Sequence, residues 1–270
     1  MFFTNRTDLM LELAENTGLA GDIHTKYDLK GVCVTKTVIG KKEGLLINKP
    51  CGVYYTVTSP IIPDSKREVN AIATVLSEVI NSQYKKRPRF LVAGLGNPDI
   101  SADSLGFRVA EKVLATSSFL KESENKNIFG DVSVIKTDVC ANSGIDSSLQ
   151  IKLVSKGIGA DIVIAVDSLA CSSFDRLFST VQITDSGIHP GSGAGNPRKA
   201  LDYKELSVPV IAIGVPTVLE QLYNGRRHIV TRHDTDLCVK RFSFIISRAL
   251  NKALNPKISE EELTELIDFS

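Results

Sequence analysis

From Phe90 onward the chain alternates short, nearly continuous apolar runs with longer stretches whose apolar residues recur at helical spacing. The runs are FLVAGLG, VSVIKTD, DIVIAVD, VQITD and VPVIAIGV, and the last of them has the composition of a central parallel strand. Helices are expected near Ser104–Leu114, Ser147–Lys156 and Leu169–Leu177. This alternation predicts an α/β fold with a doubly wound, mostly parallel sheet flanked by helices.

Upstream of that region the pattern changes. A lead-in helix is expected around Thr7–Glu15, followed by GVCVTKTVI and GVYYTVT, whose β-branched and aromatic content reads as strands. Asn48-Lys49-Pro50 and Gly52 punctuate the turn between them, which predicts a small β-rich antiparallel flap or edge. Pro60 and Pro63 mark a stop before a helix on which Val69, Ile72, Ala73, Leu76, Val79 and Ile80 share a face. The tail reads as a helix over Asp236–Leu254 and a last one started by a capping box, Ser259 to Glu262. Phe242, Phe244, Ile245, Ile246 and Leu250 of the tail are apolar enough to pack on the sheet or between subunits, and periodicity does not choose. The chain is expected to form a single α/β domain. Residues 1–65 are its N-terminal helix and β subregion, 66–235 its core and 236–270 its C-terminal helices.

Composition narrows the class. A hydrophobic content of 43% fills a sizeable core, and 32 basic against 31 acidic residues leave no global field that would draw nucleic acid or an acidic membrane. Five cysteines without a CxxC pair fit a reducing compartment rather than a disulfide framework. The N-terminus is not a signal peptide and no segment approaches a membrane span, so a cytoplasmic protein is expected.

Asp103 and Asp167 each follow an apolar strand-like run, and a carboxylate at the mouth of a parallel sheet points into the crevice where such folds bind ligands. Either one alone is commonly a helix cap. Together they suit hydrolysis by two acids sharing a proton, in which like charges held close split into one acid and one base. A third feature is the loop from Gln182 to Leu201. Its Asp185, Ser186, Gly187, His189, Gly191, Ser192 and Gly193 are candidates for a substrate or oxyanion cradle. The loop is not a phosphate motif, because GSGAGN departs from G-x-G-x-x-G and Pro197 interrupts the helix that should follow. Asp103, Asp167 and His189 are ordinary metal-ligand types, but they lack ligand spacing, and neither a metal nor another cofactor is expected. There is no G-x-S-x-G elbow; Cys171 is placed on the helix after Asp167 as a small buried hydrophobe, and Lys85–Arg89 as a solvated linker.

The ordered motifs carry a resemblance. Arg6-Thr7-Asp8-Leu9, Gly94-Leu95-Gly96-Asn97, Asp103-Ser104-Leu105-Gly106, Ser143-Gly144-Ile145-Asp146, Val166-Asp167-Ser168-Leu169-Ala170, the run from Ile183 to Gly193 and the run from Val210 to Thr217 are similar to those of the spore germination proteases, a family of atypical aspartic endopeptidases. The resemblance implies catalytic roles for Asp103 and Asp167 and a fold similar to the hydrogenase-maturation endopeptidases. It also implies small acid-soluble, DNA-protecting spore proteins as substrate, synthesis as a zymogen, location in the spore core or forespore, and assembly as a homotetramer. No direct nucleic-acid or membrane partner follows from it. The sequence departs from the family pattern in places. Met1–Asn5 alone precede the first motif, so removal of a long leader is not expected; the stretch from Val218 to His228 is short; and Ser172 stands where an arginine is common. Two other readings start from the same residues: a metal-dependent endopeptidase of hydrogenase-maturation type, and a catalytically silent sporulation protein that binds through the same cleft.

Overall fold

The computed structural model describes residues 7–58, 65–84, 87–122, 128–188, 200–223 and 226–268. Among these, nine strands form one sheet: β1 His24–Asp28, β2 Cys33–Ile39, β3 Gly52–Thr58, β4 Arg89–Gly94, β5 Asp131–Lys136, β6 Ile162–Cys171, β7 Thr180–Thr184, β8 Val210–Tyr223 and β9 Arg226–Val230. Their order is β1-β2-β3-β7-β8-β6-β4-β5, with β9 added to β8. The strands β5, β4, β6 and β8 are parallel, and the remaining pairings are antiparallel.

The near-continuous apolar runs occupy the parallel centre because both faces of that region are covered. On one face Val92, Ile162, Ile164, Val166, Ile211 and Ile213 pack with residues of the helices Ser65–Gln83 and Thr235–Leu254, among them Ile72, Leu76, Phe242 and Ile246. On the other, Leu91, Ala93, Val163, Ala165 and Val210 cluster with Ile151 of the helix Ser147–Ile158. Each such aliphatic side chain taken fully from water contributes about 1.5–3 kcal/mol. The tail's choice is therefore resolved: Phe242, Ile245, Ile246 and Leu250 are buried against the sheet, and Phe244 stays exposed. The last helix, Glu260–Asp268, begins with the expected capping box, in which the Ser259 and Glu262 side chains each accept the other's backbone N–H.

Three expectations need correction or narrowing. The residues Leu169–Leu177 are not a helix: β6 continues through Asp167 to Cys171, and a single 3-10 turn follows at Phe174–Arg176. Leu169, Ala170 and Cys171 find partners in the long strand β8, and ladder hydrogen bonds with a buried environment outweigh local helix propensity. Cys171 accordingly sits on a strand. Second, the expectation of a small antiparallel flap or edge for the N-terminal strands narrows to an edge. β3 pairs with β7, so β1, β2 and β3 extend the main sheet, and a short helix Lys41–Ile47 precedes the turn that begins at Asn48. Third, the helix expected over Ser104–Leu114 is confined to Leu105–Ala110. The sequence reading also lacked the β8–β9 hairpin. Pro216 inside β8 disguised it, and the chain accommodates that proline at a register shift where Leu169 faces Pro216 and Ala170 faces Val218.

The chain leaves β4 to form β5 on one side and then crosses to form β6 on the other. Such a reversal opens a crevice at the carboxyl ends of the two diverging strands.

Candidate active site

Strand lengths put Asp167 in that crevice. The β4–β6 ladder ends at Gly94 opposite Val166, and the Leu95 N–H closes it by donating to the Val166 carbonyl at 2.9 Å. Asp167 is thus the first β6 residue beyond the end of β4. It is 5% exposed, and its Oδ1 accepts the Ser168 N–H at 2.9 Å. On the β8 side its partner is Gly214, which presents no side chain.

Asp103 comes from the loop after β4, on a 3-10 turn formed by Ser101–Asp103. Three contacts fix it. Its Oδ2 accepts the Asn97 N–H at 3.0 Å, and the Thr217 hydroxyl, at the β8 bulge, donates to the Ala102 carbonyl at 2.6 Å. Gly96 has φ +111°, and a Cβ there would lie 1.9 Å from the Asp103 carbonyl oxygen, so only glycine lets the loop fold back on itself. Downstream, Gly106 brings the helix Leu105–Ala110 onto the strand ends: a Cβ there would lie 2.1 Å from the Val166 oxygen and 2.5 Å from that of Leu95. Neither aspartate is a helix cap. The residue capping Leu105–Ala110 is Ser104, which makes no side-chain capping bond, and Asp167 lies within a strand.

Asp103 and Asp167 line a single cleft of about 390 Å³. Its floor and rim come from the N-terminal segment and the antiparallel half of the sheet. Asp8 pairs with the end of β6 like a short added strand: its N–H donates to the Ala170 carbonyl at 2.9 Å and its Oδ2 accepts the Ala170 N–H at 3.0 Å. Lys49 Nζ lies 3.9 Å from Asp8 Oδ1, and Gln182 bridges by accepting the Met10 N–H at 2.7 Å. One turn further, Glu12, 3% exposed, accepts the Ser172 N–H, the Ser172 hydroxyl and the Ser173 N–H at 2.8, 2.8 and 3.0 Å. Asp8 and Glu12 therefore clamp the segment that follows Asp167.

The glycine-rich loop divides. Ser186 and Gly187 line the cleft; Asp185 does not, and its carboxylate instead accepts the Val53 N–H at 2.7 Å and the Gln83 amide at 3.2 Å, holding β3 to β7. His189, Gly191, Ser192 and Gly193 lie outside the described residues. The Ser186 hydroxyl donates to the Tyr54 oxygen at 2.7 Å, and Tyr54 donates to the Pro50 carbonyl at 3.0 Å. Burial pushes the Tyr54 hydroxyl up to about 12, so this wall of the cleft is neutral. Burial likewise pushes the Cys171 thiol up to about 12, which makes it a poor nucleophile. Among the described residues no three His, Cys, Asp or Glu side chains are grouped to hold a metal ion, and no helix is long and apolar enough to cross a membrane.

Sequence reasoning named the two aspartates but missed Asp8, Glu12, Lys49, Gln182 and Thr217. Glu12 carried a signal, an acid set between Leu11 and Leu13 in a short amphipathic helix. Thr217 carried none, since its role depends on a bulge.

Comparison with known proteins gives the family. The profile of the germination proteases matches residues 8–223, from the clamp at Asp8 to the end of β8. A germination protease of Caldanaerobacter subterraneus is 31% identical across 97% of this chain and 98% of its own, and one of Bacillus cytotoxicus is 36% identical across 88% and 67%. A nickel–iron hydrogenase maturation protease from Thermococcus kodakarensis superposes on 64% of the chain and 98% of its own at a TM-score of 0.36 and 17% identity, too loosely to support an argument. The profile match spans every element that builds the cleft up to β8, and the chain belongs to the germination protease family, a family of peptidases.

Proposed function

We propose that the chain is an endopeptidase in which Asp103 and Asp167 hydrolyse the peptide bond as a general acid/base pair. The observation that carries this reading is their convergence on one cleft, Asp103 from the loop after β4 and Asp167 from the neighbouring parallel strand β6. One carboxylate takes a proton from water as its oxygen attacks the peptide carbonyl. The other, protonated, polarises that carbonyl and then gives its proton to the departing amine. Such a pair titrates as a unit, so the roles belong to the dyad and not to either residue. Low exposure of Asp167 favours sharing a proton over carrying two charges. The Asn97 and Ser168 N–H groups orient the two carboxylates.

Family membership supports the substrate side of the reading: small acid-soluble, DNA-protecting spore proteins, cut at germination inside the spore by a homo-oligomeric enzyme, with no nucleic-acid or membrane partner. The test is incubation with a purified small acid-soluble spore protein at near-neutral pH, with and without a chelator, followed by mass analysis of the fragments. Discrete cleavage that survives the chelator supports the reading. An intact substrate refutes it, and cleavage abolished by the chelator and restored by a metal replaces the two-acid mechanism with a metal-dependent one.

A further inference from the structure

We infer that β9 is the docking edge for the substrate, which binds alongside it as an added extended strand and is carried from there across Asp103 and Asp167. The inference rests on the peptidase reading above and adds the mode of binding.

Among the described residues β9 has one sheet neighbour, β8, and lies off the main path of the sheet. The outer side of such a strand presents backbone N–H and C=O groups at a spacing that another extended chain matches. Natural edges are usually blunted by charge, as β1 is by Lys26 and Asp28 and β5 by Asp131 and Lys136. In β9 the basic residues Arg226 and Arg227 stand at the start of the strand, and its last two residues, towards the cleft, are the β-branched apolar Ile229 and Val230, 56% and 46% exposed. The exposed apolar part of this edge is therefore the part that adjoins the cleft.

The edge is continuous with the cleft. Ile229 and Thr231 share the cleft wall with both aspartates. The Thr231 hydroxyl donates to the Thr217 carbonyl at 2.7 Å, and the Thr217 hydroxyl in turn donates to the Ala102 carbonyl at 2.6 Å, next to Asp103. Two side-chain hydrogen bonds therefore hold the end of β9 in fixed register with one member of the dyad. A peptide aligned on β9 is aligned to Asp103 by the same linkage. The occupant is unfolded polypeptide, because a folded surface offers few free backbone groups in an extended row.

Two measurements on the same substrate peptide test this. In the first, single N-methyl groups are placed along the peptide and cleavage by the wild-type enzyme is followed. The expected result is an increase in KM of about 3- to 10-fold at every second residue on one side of the scissile bond, since alternate amides face the edge. In the second, hydrogen exchange of the Asp103→Asn protein is compared with and without the peptide, and slowed exchange is expected within residues 226–230. Normal cleavage with no alternation and unchanged exchange in β9 overturns the docking edge while leaving the peptidase reading intact. Protection of β9 without cleavage by the wild-type enzyme does the reverse. Protection of β9 in the free protein that grows with protein concentration also overturns it, by giving the edge to a second copy of the chain.

Discussion

Replacing Gly106 by alanine tests how tightly Asp103 is held. The new Cβ would lie 2.1 Å from the Val166 oxygen, 2.5 Å from the Leu95 oxygen and 2.6 Å from the Leu95 nitrogen. All three are backbone atoms, of Val166 within β6 and of Leu95 just past β4, so no side-chain rotation relieves the clash. The helix Leu105–Ala110 has to retreat by about 1 Å to restore a tolerable contact. Overpacking of this kind costs about 1–3 kcal/mol, and an immovable backbone places this case near about 3 kcal/mol. The retreat also drags Asp103, and a misplacement of about 1 Å lowers turnover by roughly 100-fold. Urea denaturation and cleavage kinetics measure the two effects. The matched control is Gly157→Ala in the helix Ser147–Ile158, where an added Cβ meets nothing within 4 Å. That change is expected to stabilise the fold by about 0.5–1 kcal/mol and leave activity alone. A Gly106→Ala protein with an unshifted midpoint and full turnover would refute the close approach.

Three more outcomes are expected. Glu12→Ala strands three donors near Ser172 and should cost about 3 kcal/mol in urea denaturation, with faster hydrogen exchange in the helix Met10–Asn16; a loss below about 0.5 kcal/mol would mean the clamp contributes nothing. Thr217→Val keeps the shape of the bulge but leaves the Ala102 carbonyl without its donor, so a loss of about 1–2 kcal/mol is expected, with kcat falling and KM held; unchanged kcat argues against the link to Asp103. Cys171, with its thiol pushed up to about 12, should resist a thiol reagent at pH 8 while Cys33, Cys51 and Cys140 react. Because the folded pKa lies above the ordinary value of 9.0, that thiol's contribution to stability is complete below about pH 9 and is lost as pH rises towards about 12. Cys171→Ala should therefore flatten the alkaline loss of stability, and an unaltered alkaline limb contradicts the assignment.

How far the sequence spoke depended on the kind of force involved. Ile162–Val166 and Ile211–Ile213 are apolar at every position, and such runs can only sit in a sheet covered on both faces, so the parallel centre was legible. The helix Ser65–Gln83 declared itself through the spacing of Val69, Ile72, Leu76 and Val79. Leu169–Cys171 misled because its conformation is decided by β8, a partner far away in sequence. β1 was invisible for a similar reason: HTKYD has little strand character and is held by its pairing with β2. At the site, Asp103 and Asp167 stood out because each follows an apolar run that leads to a crevice. Asp185 shared that pattern and took a structural role, since its neighbours happen to be the Val53 N–H and the Gln83 amide. The roles of Asp8, Glu12 and Thr217 arise from tertiary contacts with the end of β6 and with the Asp103 loop, which no local pattern encodes.

The most direct measurement is the single-turnover cleavage rate of a small acid-soluble spore protein by Asp103→Asn, Asp167→Asn and the double variant, each checked for an unchanged fold by circular dichroism. If the two carboxylates act as one acid/base pair, each single variant loses about 10²–10⁴-fold in rate, and the double variant is scarcely slower than the worse single one. Full activity in either single variant, or losses that multiply in the double variant as for independent residues, would contradict a shared catalytic role for Asp103 and Asp167.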